Sequence, residues 1–240
     1  MIAIQINSKF PLQLKVFLFA IVAFSFAPTA IAGRPMIVDD ASIVADKNCQ
    51  LESWRQKNFS NIEYWAAPAC NFTGNLELAL GAAAIIPDHM RSSKRIQMQG
   101  KTLFKTMETN GWGAGLVVGN QFDPNYNVIG DLYMRVPVSF SFQDDRFIVH
   151  TNVGWSRAND TKRNLVTWGI GSELLLSPKT ALTAEVFGQN KAKPLFQFGL
   201  RHTLLPDRLQ LSVSYGDRLS HRQADRFTSI GLILTSISIL

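Results

Sequence analysis

Three kinds of side chain in this sequence could do chemistry: four histidines, two cysteines and eighteen acids. His150-Thr151-Asn152 sets a potential general base beside an amide, a grouping that could activate a serine hydroxyl. The position two residues beyond the histidine is Asn152, however, not a serine. Glu173 and Glu185 could form a carboxylate pair for acid–base work, although solvated charges explain them more simply. His89 and His221 fall in loop sequence and His202 near a strand end. No H-x-x-x-H or C-x-x-C spacing occurs, so no metal site is expected. A phosphate-binding glycine loop is likewise absent from the sequence, and no cofactor is expected.

Cys49 and Cys70 lie equally far from a turn centred between residues 59 and 60, and so do Trp54 and Trp65. Directly opposed residues of a hairpin stand about 4.5–5.5 Å apart, within reach of a disulfide. The spacing therefore predicts a Cys49–Cys70 bond across the base of the first hairpin, formed in an oxidising compartment.

Export is read from residues 1–32. Lys9 and Lys15 give a positive n-region, and Val16 to Phe26 is apolar apart from Ser25. That run has the length of a signal h-region and is too short to span a bilayer as a helix. Ala30-Ile31-Ala32 fits the A-x-A cleavage pattern and predicts a mature chain from Gly33; the alternative is an uncleaved anchor. The formal net charge is +6. Two of those charges belong to the leader, and no dense Lys/Arg block points to nucleic acid. The remaining length suits one domain.

The elements that must position these residues are strands. From residue 48 onward the sequence alternates with a period of two. In Leu132 to Phe142 every even position is large and apolar, while Tyr133, Arg135, Ser139 and Ser141 take odd positions. Twelve strands are expected near 48–57, 61–71, 74–86, 95–108, 111–122, 129–142, 146–157, 162–176, 180–190, 194–205, 208–216 and 226–239. Most exceed the about five or six residues usual in soluble proteins and match the about nine to eleven that cross a bilayer when tilted. Tight connections such as 143–145 and 205–208 alternate with longer ones such as 87–94 and 216–225, the asymmetry of an outer-membrane barrel. The expected fold is all-β: an antiparallel up-and-down transmembrane barrel of about 12 strands over residues 48–240. The alternative is a soluble β-sandwich or a lipocalin-like barrel. Trp112, Trp155, Phe122, Phe142 and Phe147 fall near strand ends on the apolar face, as girdle residues do.

A lipid-facing apolar side leaves the polar side for the lumen. Its expected residues are Glu52, Glu63, Glu77, Lys101, Lys105, Arg135, His150, Glu173, Glu185 and Arg201. Opposite charges in one lumen allow two readings. One is a narrow pore with a transverse field, passing small polar solutes. The other is an interior closed by ion pairs that conducts nothing. Residues 33–47 precede the first strand, and their Asp39-Asp40 pair has three possible fates: a plug meeting Lys101, Lys105, Arg135 or Arg201, a recognition tail in the periplasm, or a solvated leader.

Two resemblances follow. His150-Thr151-Asn152 invites comparison with outer-membrane phospholipase A, a twelve-stranded barrel that pairs a strand histidine with a serine two residues on. Here that serine is missing, and parity points His150 inward, away from lipid. A lipid hydrolase is therefore the third reading, and no enzyme activity is expected. Separately, Arg34-Pro35, Asp39-Asp40-Ala41, Cys49-Gln50-Leu51-Glu52, Pro68-Ala69-Cys70-Asn71 and Gly74 to Leu78 resemble a group of proteobacterial outer-membrane barrel proteins related to transport components of phenol degradation (the meta-pathway). That resemblance implies the outer membrane of a Gram-negative bacterium and solutes that include small aromatic molecules. The partners implied by such a barrel are outer-membrane lipid, lipopolysaccharide and the barrel-assembly machinery. One departure is the last residue, Leu240, where barrel chains commonly end in an aromatic.

Overall fold

The computed structural model describes residues 36–220 and 225–238. The expectations for the leader at 1–32, for His221 and for Leu240 lie outside the described residues. Alternating apolar and polar side chains favour extended backbone, whose side chains point to opposite faces. Twelve strands result: β1 (Asn48–Asn58), β2 (Asn61–Asn71), β3 (Glu77–Pro87), β4 (Ser93–Lys105), β5 (Trp112–Asp123), β6 (Asn127–Phe142), β7 (Phe147–Ala158), β8 (Arg163–Ser177), β9 (Thr180–Gln189), β10 (Leu195–Leu205), β11 (Leu209–Arg218) and β12 (Phe227–Ser238). Each pairs antiparallel with its sequence neighbours, and β12 pairs with β1, so the sheet closes into a barrel. Closure removes every sheet edge.

The barrel is apolar outside and polar inside. Leu80, Met98, Val118, Met134, Val153, Ile170, Phe198 and Ile230 are exposed on its outer wall, whereas Lys101, His150, Glu185 and Arg201 are buried within it. Water would penalise that outer band; hydrocarbon would not. Trp112 and Phe142 stand exposed on the same outer face.

The expected contrast between short and long connections is not found. At the end opposite the termini the connections span 59–60, 88–92, 124–126, 159–162, 190–194 and 219–226; at the termini end they span 72–76, 106–111, 143–146, 178–179 and 206–208. Strands extend into sequence read as loop, as β6 does through Asn127–Gly130. Asn120 of β5 fastens that extension: its Nδ2 donates to the Ile129 carbonyl at 2.8 Å. The alternation along β12 is blurred because its inward positions include Phe227 and Ile233, both buried.

Candidate functional site

Residues 36–46 do not pair as a strand. They run through the lumen, and wall side chains satisfy their backbone, as buried N–H and C=O groups require. Glu185 on β9 accepts from the amides of Ile37 and Val38 at 2.8 Å. Asn152 on β7 makes a two-way pair with Asp39, accepting from its N–H at 2.7 Å and donating to its carbonyl at 2.8 Å. Ser139 on β6 accepts from Ala41 N–H and Glu77 on β3 from Val44 N–H, both at 2.8 Å. Asn71 on β2 donates to the Val44 carbonyl at 2.7 Å. The apolar side chains Met36, Val38, Ala41 and Val44 are buried.

Two of the segment's carboxylates reach the wall on either side of β5. Asp40 Oδ1 lies 2.6 Å from Lys101 Nζ on β4, and Asp39 Oδ2 lies 2.7 Å from Arg135 on β6. Burial works to raise the Asp40 pKa, but the charge of Lys101 and the hydrogen bond from it outweigh that and hold the carboxyl below its ordinary value. The wall also approaches the segment closely. A Cβ on Gly169 would lie 2.6 Å from Val38 Cγ2, so β8 is bare of side chain where Val38 rests against it.

Beneath the segment, His150 Nδ1 is 2.7 Å from Ser139 Oγ, and its Nε2 is 3.5 Å from Glu173. Glu173 in turn pairs with Arg201 across β9. Ser139 is directly opposite His150 in the β6–β7 register. Sequence reading looked for a serine along the strand and missed this one; reflecting His150 through the 143–146 turn, as the cysteines were reflected through theirs, would have found it. The serine–histidine pair faces the lumen beneath Ala41 rather than lipid. Among the described residues no group of three or more His, Cys, Asp or Glu could hold a metal ion.

Most of the remaining lumen candidates are inward. Glu63 accepts from Trp65 Nε1 at 2.8 Å, and Glu52 accepts from Gln50 at 3.2 Å. Lys105 is a correction. A register shift between Leu103 and Lys105 pairs Lys105 with Ala114, which moves it off the lumen parity. Its ammonium lies 5.2 Å from the Trp112 ring and 3.6 Å from Glu108, at the termini end of the outer wall. Cys49 is bonded to Cys70, and Trp54 stacks on Trp65 with centroids 5.2 Å apart.

Spaces remain around the segment among the described residues. One of about 110 Å³ separates it from β1–β4 and is lined by Gln50, Ala67, Ala79 and Gly81 among others. Toward the end opposite the termini lies one of about 340 Å³, with Tyr133, Phe187 and Arg218 in its wall. At the termini end a third measures about 740 Å³.

A family model described as "Uncharacterised conserved protein UCP029691" matches residues 20–234. No curated protein matches. Among solved structures, the KdgM porin in complex with disordered oligogalacturonate is 8% identical, with a TM-score of 0.61 over 77% of this chain and 98% of that one. The NanC porin is 9% identical, with a TM-score of 0.57 over 78% and 98%. The outer membrane protein Omp33 of Acinetobacter baumannii is 9% identical, with a TM-score of 0.51 over 78% and 97%. At such identities the likeness is one of fold. The relation to phenol-degradation transport components drawn from sequence is not confirmed.

Proposed function

The chain belongs to the family described as uncharacterised conserved protein UCP029691, and for this member we propose an outer-membrane channel that passes small solutes and is constricted by its own N-terminal segment. One observation carries the reading. Side chains of β6, β7 and β9 and of β2–β4 hold the segment, and toward β1–β4 a space of about 110 Å³ stays open beside it, lined by Ala67, Ala69, Ala79 and Gly81 among larger polar residues. The likeness to the porins supports a channel. The selective elements are Asp39 and Asp40 with Arg135 and Lys101. Aromatic solutes form the finer part of the proposal, supported by Trp54, Trp65 and Tyr133 on the lumen side. Both termini then lie in the periplasm, the chain having been exported by a cleaved leader.

The test is single-channel conductance of residues 33–240 refolded into a planar bilayer, beside a variant lacking 34–46. Small discrete steps that grow on deletion are expected. Equal conductance of the two would remove the segment as the constriction. A second reading, a sealed interaction barrel, is favoured by the ion pairs that tie the segment to β4 and β6. It predicts silence from folded, heat-modifiable protein. The pair Ser139–His150 opens to the lumen, which argues against a lipid-hydrolysing site.

A further inference from the structure

The space at the termini end has the character of a binding site in its own right. Its volume, about 740 Å³, falls within the roughly 300–1,000 Å³ of small-molecule pockets. Ile43 of the segment, Met107, Ile148 and Leu175 line it with apolar surface. Part of its floor is the 106–111 connection, folded so tightly over β5 that a Cβ on Gly113 would lie 2.6 Å from the Met107 nitrogen. At its polar wall stand Arg201 and His150, 4% and 3% exposed. Arg201 gives one side of its guanidinium to Glu173, but its Nη1 has no hydrogen-bond partner among the described residues, and His150 Nε2 has only the Glu173 carboxylate, 3.5 Å away. A buried donor without an acceptor costs about 1–3 kcal/mol, and a ligand oxygen would relieve it.

Charge decides the kind of oxygen. Glu173 already neutralises Arg201, and Asp40 is taken by Lys101. A carboxylate ligand would add a second buried anion beside Glu173, with Asp46, Glu108 and Asp145 also around the cavity. An uncharged acceptor satisfies Arg201 without that penalty. We propose that this cavity binds an uncharged amphiphile, its apolar body against Ile43, Met107, Ile148 and Leu175 and its single carbonyl or hydroxyl oxygen on Arg201 Nη1. Binding of this kind requires no conduction, so it stands whether or not the barrel passes current.

Equilibrium dialysis of 2-octanone and octanoate against the protein in lipid nanodiscs, with protein-free nanodiscs as the blank, tests it. The ketone should bind saturably at one per barrel, and octanoate about tenfold more weakly, because its carboxylate would be a second buried anion beside Glu173. Arg201→Gln combined with Glu173→Gln removes the donor while leaving no unpaired charge, and should weaken the ketone about tenfold. Ile148→Trp, which leaves the charges intact and fills the apolar part, should weaken it too, and decides the matter if the double variant does not fold. Ketone uptake equal to the blank, tighter binding of octanoate, or unchanged binding in a folded variant would overturn the proposal.

Discussion

Asp40 pairs with Lys101 inside the barrel, and its carboxyl is held below the ordinary pKa. A group shifted that way stabilises the seated segment above its unfolded value, about 3.9, and loses that contribution as pH falls through the lower folded value. Hydrogen exchange at the amides of Ile37, Val38, Ala41 and Val44 should therefore stay slow at neutral pH and accelerate below about pH 4. Exchange independent of pH, once the intrinsic rate is divided out, would mean that Asp40 does not hold the segment. Gly169 makes a second prediction at this scale. Its replacement by Val puts carbon where Val38 now rests, overpacking worth about 1–3 kcal/mol. Conductance of Gly169→Val should approach that of the deletion while heat-modifiable migration, a property of the barrel wall, stays as in the parent.

Among the elements, the β1–β2 hairpin is fastened three ways: by its register, by the Trp54–Trp65 stack and by the Cys49–Cys70 bond, whose cysteines are 21 positions apart in sequence. Closing a loop of that size removes unfolded-chain entropy worth about 3 kcal/mol. Cys49→Ser with Cys70→Ser should lower stability toward urea by about that amount and leave the folded barrel closed. A loss well under 1 kcal/mol would place the fastening in β1–β12 pairing instead. This hairpin was legible from sequence because one turn centre fixes every pair across it. Lys105 was not, for the opposite reason. Parity counts residues along one strand, and the shift between Leu103 and Lys105 depends on β5 beside it.

For the molecule as a whole, the outer wall is the test of the membrane reading. Val118 is 48% exposed near the middle of β5. If that wall meets hydrocarbon, Val118→Arg should cost about 2–4 kcal/mol, measured as refolding into lipid vesicles. A soluble barrel would tolerate arginine there within about 0.5 kcal/mol. The same inversion explains why the lumen is rich in charge. Polar walls that a soluble fold would turn to water here turn to the segment, and each of Glu185, Asn152, Ser139 and Glu77 meets a backbone N–H of it.

What the sequence by itself determined is the strand number, their approximate bounds, the face that most side chains take and the pairing across the first hairpin. These follow from local alternation and turn residues, which act over a few neighbours. Tertiary structure alone decided where residues 36–46 go, which carboxylate meets which amide, and that Ser139, His150, Glu173 and Arg201 come together. Those contacts join residues as much as 148 positions apart. They exist only because closing the sheet brings β3, β7, β9 and β10 around one lumen, and no periodicity along the chain encodes that distance.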